Sequence, residues 1–123
     1  ANQYLQYYDY LFMNGSEILN YTLERIPQLV YDVLDKNNHN IEDIDLHVYH
    51  QANKYISNLQ RKKLKIPEEK YYQYYEKVGN TVSSTIPIAL KEAINDNSIK
   101  QGYKVLSVAQ GLGYSWGGVV LYF

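Results

Sequence analysis

Apolar residues near the start of the chain recur at helical spacing. Between Leu19 and Leu34 they return every three or four positions, as on one face of a helix, and Ser16 is a suitable N-cap. Pro27 falls inside this stretch, and proline disrupts the interior of a helix. The pattern therefore predicts either a short helix at 16–25 followed by a second at 27–36, or one sharply kinked helix.

The rest of the chain alternates between strand-like and helix-like patterns. Five strands are predicted, near residues 10–13, 44–49, 71–78, 104–109 and 116–123. Two further helices are predicted, one from about 52 to 64 and one that begins near Ser83 or Ser84 and ends near Asn95. Such alternation indicates an α/β fold with a mostly parallel sheet and crossover helices. The last two strands are joined by a tight glycine turn and should pair antiparallel.

Composition and charge narrow the class of protein. The chain has 123 residues, 46% of them apolar, and a formal net charge of -1. These values are typical of one globular domain and exclude a strongly basic protein that binds nucleic acid through bulk charge. No apolar run approaches the ~20 residues that span a bilayer, and no signal peptide is recognisable. We therefore predict a cytoplasmic protein with neither nucleic acid nor membrane as a partner.

The lack of cysteine removes several kinds of site. With no cysteine, the chain can form no disulfide, no zinc–thiolate site and no cysteine nucleophile of its own. Its three histidines are scattered, without a His-x-x-x-His spacing or a cluster of carboxylates. No metal site is predicted.

Three predicted loops leave the carboxyl ends of strands, where open α/β sheets form their sites. One loop carries His50, one carries Asn80, and the third is the glycine loop at 111–113. Neutral histidine and asparagine can both donate hydrogen bonds, so together they could hold a developing oxyanion or enolate. From the residues alone a structural alternative stays open, in which His50 belongs to the core and Asn80 merely accepts a positive φ beside Gly79.

A basic stretch lies between the first two of these loops. Residues 54–65 contain five Lys or Arg side chains and no acid. The stretch is either a solvated helix face or a docking surface for an acidic partner or a phosphate group.

Taken together, the three loop motifs resemble the motifs of a known enzyme family. His50-Gln51-Ala52-Asn53, Gly79-Asn80-Thr81 and the segment 111–117 resemble, in order and spacing, the C-terminal half of β-ketoacyl-acyl carrier protein synthase III, a thiolase-like condensing enzyme. Further matches are Met13-x-Gly15-x-Glu17, Ile66-Pro67 and Ser84-x-Ile86-Pro87-x-Ala89-Leu90. The resemblance assigns residues 10–123 to this domain and leaves residues 1–9 as a linker or an expression remnant.

The resemblance implies a fold and a set of site residues. The fold would be half of a thiolase-like chain, a five-stranded mixed sheet with helices on its faces. His50 and Asn80 would be catalytic, as the donors that stabilise the enolate formed from malonyl-acyl carrier protein. The backbone N–H of Leu112, where the family often has glycine, would help hold the oxyanion of the acyl-enzyme. Gly15 and Ala52 would line the pantetheine tunnel, and Arg61, Lys62 and Lys63 would dock the carrier protein.

The resemblance also implies what lies outside this chain. The family's nucleophilic cysteine belongs to the N-terminal half, so this chain by itself is predicted to be inactive. Expected partners are acyl carrier protein, acyl-coenzyme A, the chain's own N-terminal half and a second copy in a homodimer. Coenzyme A and the carrier's phosphopantetheine would serve as substrate carriers, with no separate cofactor. The pathway would be the initiation of fatty-acid synthesis or a related one. The alternative is a non-enzymatic module of the same fold that binds a carrier protein or forms a dimer surface.

Overall fold

Three strands and four helices form the regular structure of residues 13–111 and 113–123, the parts of the chain that the computed structural model describes. The strands are β1 (Leu46–Tyr49), β2 (Lys104–Gly111) and β3 (Ser115–Tyr122). The helices are α1 (Gly15–Lys36), α2 (Lys54–Lys63), α3 (Tyr75–Val78) and α4 (Thr85–Asn95). Short 3-10 turns lie at Ile41–Asp43, Glu68–Lys70 and Val82–Ser84. The sheet order is β1-β2-β3, with β1 parallel and β3 antiparallel to β2, which confirms the α/β class and the closing hairpin.

The prediction of five strands is wrong for the described residues, which form a mixed sheet of three. The segment predicted as a strand at 71–78 makes one parallel bridge, between Tyr71 and His47, and then turns into α3. A 3-10 turn ends one residue before Tyr71, so a short stretch is left to lie beside β1. Of the strand predicted at 10–13, only Met13 is described, and it is irregular; residues 1–12 lie outside the described residues.

Helix α1 is continuous through Pro27, so the predicted division into two helices is wrong and the other alternative, a single helix, is the one observed. Proline has no N–H, and the carbonyl one turn earlier, that of Leu23, loses its usual donor. The Lys63 ammonium of α2 donates a hydrogen bond to this carbonyl. A side chain from a neighbouring helix thus replaces the missing bond. The N-cap is Asn14 rather than Ser16, and its side chain accepts from the Glu17 N–H at 3.2 Å.

Helices cover both faces of the sheet. Successive residues of a strand point to opposite faces, and β1 and β2 are buried on both. One face packs against α4, with Leu46, Val48, Ala89, Ala93, Ile99 and Val105 in its core. The other packs against α1, with Ile26, Val30, Leu34, Tyr49, Leu106 and Val108 in its core. Helix α4 begins at Thr85, close to the predicted start near Ser83 or Ser84, and Pro87 lies in its first turn.

None of the described helices is long and apolar enough to cross a bilayer.

Candidate active site

His50 is held in place by the end of β1. Its backbone N–H donates to the Val108 carbonyl of β2 at 2.9 Å, which extends the parallel ladder by one bond beyond Tyr49. The side chain is half-buried, and burial lowers the pKa of the imidazole below its ordinary value. His50 is therefore neutral at pH 7 and able to donate through one ring nitrogen.

Asn80 follows α3 rather than a strand, which corrects the expectation that it leaves a strand end. Gly79 precedes it with φ +67°, a conformation that favours glycine. The Asn80 side-chain oxygen accepts from the Val82 N–H at 2.9 Å. Because that oxygen is occupied, the NH₂ end of the amide is the one that can donate to a ligand.

Val82, next to Asn80, has an unusual backbone. Its φ is +54°, which is an outlier for a β-branched side chain, and the side chain is 73% exposed. Strain of this kind costs of order 1–3 kcal/mol and concentrates at functional sites. The strained residue bonds Asn80 directly, so the strain and the fixed amide belong to one loop.

His50 and Asn80 line the same cavity of about 920 Å³. Gly15, the first residue of α1, and Ala52, which precedes α2, line it as well. The structure thus brings together four of the residues singled out in the sequence, from three different segments of the chain. Leu112 lies outside the described residues, although its neighbour Gly111 lines the cavity.

An aromatic cluster forms part of the cavity wall and was not predicted. Tyr21 of α1 stacks on Tyr114 with ring centroids 4.3 Å apart and meets the edge of Trp116 at 5.6 Å. These rings come from opposite ends of the chain, so no local sequence pattern could have paired them. Apolar walls exclude water, and hydrogen bonds to a bound charge are stronger where water is excluded.

Of the three basic residues predicted to dock a partner, two make internal contacts. Arg61 donates from Nη1 to the Ile66 carbonyl at 3.1 Å, and Lys63 donates to the Leu23 carbonyl. Lys62, between them, is exposed. The N-terminal end of α2 borders the cavity through Asn53 and Ile56, so the basic residues lie about two turns away along one helix.

Within residues 13–111 and 113–123, no group of three or more His, Asp or Glu side chains is arranged to hold a metal ion.

A family model, curated sequences and solved structures all match this chain to the same kind of protein. Residues 34–123 match the family described as 3-oxoacyl-[acyl-carrier-protein] synthase III C terminal. The chain is 38% identical over 113 residues to the β-ketoacyl-[acyl-carrier-protein] synthase III of Clostridium perfringens, covering 92% of this chain and 35% of that protein. The crystal structure of the synthase from Aquifex aeolicus superposes with a TM-score of 0.88 at 38% identity, over 93% of this chain and 37% of the other.

A more distant structure shows the same fold. The priming β-ketosynthase of the R1128 polyketide pathway superposes with a TM-score of 0.85 at 23% identity, over 98% of this chain and 38% of that one. At that identity the likeness concerns the fold alone. The chain spans about a third of the length of the curated relatives it matches.

Proposed function

This chain belongs to the 3-oxoacyl-[acyl-carrier-protein] synthase III C-terminal family, and we propose that it supplies the enolate-stabilising half of a decarboxylative condensing active site. The curated relatives are named as synthases of this type, and the chain spans about a third of their length. The nucleophilic cysteine would come from a separate N-terminal half. The substrate classes would be an acyl thioester of coenzyme A and a malonyl thioester of acyl carrier protein.

The proposed reaction has two parts. A cysteine thiolate attacks the acyl thioester and expels coenzyme A as a thiolate, which takes a proton from water, and an acyl-enzyme remains. The malonyl thioester then loses carbon dioxide, and the electron pair of the broken bond moves onto the thioester carbonyl oxygen as an enolate. The enolate carbon attacks the acyl-enzyme carbonyl, the new carbon–carbon bond forms, and the cysteine leaves as a thiolate.

His50 and Asn80 are proposed to donate hydrogen bonds to the thioester oxygen on which the enolate charge forms. The observation that carries this proposal is that both side chains line one cavity, with His50 neutral and the Asn80 oxygen occupied by the Val82 N–H. Hydrogen bonds from neutral donors become stronger as the negative charge develops on the oxygen, so they lower the barrier more than they strengthen ground-state binding.

The remaining contacts are proposed around the same cavity. Gly15 and Ala52 line it with little or no side chain, which leaves width for a pantetheine arm. The backbone N–H of Leu112 is proposed as an oxyanion donor for the acyl-enzyme. A second copy of the protein is the proposed dimer partner.

The proposal is tested by decarboxylation in the full-length protein. With malonyl-acyl carrier protein and an acyl-coenzyme A, it should release carbon dioxide and form a 3-oxoacyl product, measured by carbon dioxide release and mass spectrometry. The 123-residue chain should transfer no acyl group, since it contains no cysteine. A full-length protein that binds the carrier but turns nothing over would support the non-enzymatic module instead.

The basic end of α2, with Arg61, Lys62 and Lys63, is proposed to dock the acidic carrier protein. Lys62 gives the cleanest test because it is exposed, whereas Lys63 also supports α1 through the Leu23 carbonyl. Lys62→Glu should weaken carrier binding about 3- to 10-fold at low salt and reduce the salt dependence of the affinity.

The matched control for this charge reversal is Lys100→Glu. Lys100 is also exposed but lies just before β2, at the end of the sheet away from His50. Titration calorimetry at two ionic strengths compares the two variants. Equal weakening by both would indicate a general charge effect and would remove α2 as the docking surface.

A further inference from the structure

The segment that leads to Asn80 has few ties to the sheet. It begins with a backbone contact to β1, in which the Tyr72 N–H donates to the His47 carbonyl at 2.9 Å beside the Tyr71 bridge. Beyond that point no strand pairing continues, and the chain passes through α3 to Gly79 and Asn80. Something other than a β-ladder must therefore hold this segment against the end of β1.

The side chain of Gln51 supplies that contact. Its Nε2 donates to the Tyr72 carbonyl at 3.0 Å, and its Oε1 accepts from the Tyr74 N–H at 2.7 Å. One carboxamide thus bonds residues two apart on the neighbouring segment, as a backbone peptide group of an adjacent parallel strand would. Gln51 is only 2% exposed, so both bonds are shielded from water.

Gln51 directly follows His50, so two adjacent residues contact both β2 and the segment at 72–74. The backbone of His50 is bonded to β2 through the Val108 carbonyl, and the side chain of Gln51 is bonded to the segment at 72–74. The backbone bond of His50 therefore fixes the position of His50, and the side chain of the next residue, Gln51, fixes the chain that leads to Asn80.

The other described side-chain hydrogen bonds and ion pairs of this segment are exposed or long. The Tyr72 hydroxyl donates to Asp96 Oδ2 at 2.8 Å, but this bond is exposed, and the Tyr71 hydroxyl lies 3.4 Å from Gln60 Oε1. Gln73 Nε2 lies 3.5 Å from Asn58 Oδ1, at the limit of a hydrogen bond. Lys54 and Glu76 form an ion pair at 3.9 Å with both side chains about 70% exposed, and such pairs contribute little.

We propose that Gln51 is a positioning residue, which holds the segment at 72–74 against β1 and so keeps Asn80 at the distance from His50 that enolate stabilisation requires. This inference rests on the proposed function. A displacement of about 1 Å in a catalytic group can cost up to ~10²-fold in rate without changing the binding of the rest of the substrate. Loss of the Gln51 amide should therefore lower kcat for decarboxylation more than it raises KM.

The first experiment measures the bonds themselves in the full-length protein. In Gln51→Ala, hydrogen exchange at the Tyr74 amide should become at least about 10-fold faster, because its acceptor is lost. The Tyr72 amide, which keeps its acceptor on His47, should exchange faster by a smaller factor because the segment is held less firmly. The Asp45 amide, which donates to the Lys104 carbonyl before β1, should exchange as before and serves as the internal reference. Unchanged exchange at Tyr74 would overturn the inference.

The second experiment measures decarboxylation kinetics in the same protein. Gln51→Ala should lower kcat about 10- to 100-fold with KM within a few-fold, whereas Gln73→Ala on the same segment should stay near wild type. Wild-type kinetics in Gln51→Ala, or an equal loss in Gln73→Ala, would overturn the positioning role. Absence of decarboxylation in the wild-type protein would instead refute the proposed function, which separates the two failures.

A conservative variant gives a signature that general destabilisation does not. Gln51→Glu can accept from the Tyr74 N–H, but as a carboxylate it cannot donate to the Tyr72 carbonyl. Burial raises the pKa of a carboxyl group, and its protonated form has both a donor and an acceptor. The kcat of Gln51→Glu relative to wild type should therefore rise as the pH falls from 8 to 6, and a flat ratio would contradict the two-bond contact.

Discussion

Replacing His50 with alanine in the full-length protein should slow decarboxylation of malonyl-acyl carrier protein by about 10²- to 10³-fold. That is the loss expected when one preorganised donor to a developing oxyanion is removed. Transfer of the acyl group from acyl-coenzyme A to the cysteine should be affected far less, because the proposed donors for that step are backbone N–H groups. Rapid-quench measurements of the two half-reactions separate these effects.

The control for the His50 variant is another histidine. His39 lies in the loop after α1, and its Nε2 is 2.8 Å from the Tyr122 hydroxyl. Neither side chain lines the cavity. His39→Ala should leave both half-reactions within a few-fold of wild type. If His50→Ala slowed acylation and decarboxylation equally, His50 would not be specific to the enolate, and its proposed role would be wrong.

The parts of the fold that follow from local signals were predictable. Pro87 fits the first turn of a helix, and α4 begins two residues before it. The glycine loop between two apolar runs predicts an antiparallel hairpin, and β2 and β3 form one. In these cases the residues that decide the element lie within the element itself.

The incorrect predictions involve partners that are distant in sequence. One of the two predictions for Pro27 was a division into two helices, but the Lys63 ammonium bonds the carbonyl that proline leaves without a donor, and α1 continues as a single helix. The segment at 71–78 has the composition of a strand, but the Gln51 side chain bonds its backbone in place of a ladder. Neither contact leaves a periodic signal, since each joins a side chain to a backbone group 21 to 40 residues away.

The candidate site was predictable to the extent that motifs lie at the ends of elements. His50 follows a strand, and its place at the cavity agrees with the rule that α/β sheets form sites beyond their carboxyl ends. Asn80 reaches the same cavity by another route, through a short helix and a glycine at positive φ. The aromatic wall of Tyr21 and Tyr114 could not be predicted, because it depends on how α1 packs near the hairpin.

Acid should destabilise the fold through His47, a histidine with no proposed part in the chemistry. Its ring is 1% exposed, and Nδ1 lies 2.8 Å from the Tyr49 hydroxyl. Burial, with a smaller effect from the charge of Lys70, lowers the pKa of His47 to about 4. Burial also raises the pKa of the Tyr49 hydroxyl, which therefore stays protonated and can pair with Nδ1 in either tautomer of the neutral ring. Protonation of the ring would place a positive charge in the core, where it is shielded from water.

The sign of the effect follows from the two states of the protein. Above about pH 6.5 His47 is neutral in both the folded and the unfolded chain, so it contributes no pH dependence to the free energy of unfolding. Below that pH the unfolded chain takes up a proton that the folded chain does not accept until about pH 4. The free energy of unfolding should therefore fall between pH 6.5 and 4, by about 3 kcal/mol in total from this residue.

Urea unfolding of wild type and His47→Asn between pH 7 and pH 4 measures this contribution. Asparagine keeps an acceptor near the Tyr49 hydroxyl but does not titrate, so the variant should be less stable at pH 7 and lose less on acidification. His50 and the carboxylates titrate in both proteins, and their contributions cancel in the difference between the two curves. That difference should shrink or reverse as the pH falls, whereas parallel curves would mean that His47 accepts a proton in the folded state as readily as in the unfolded one.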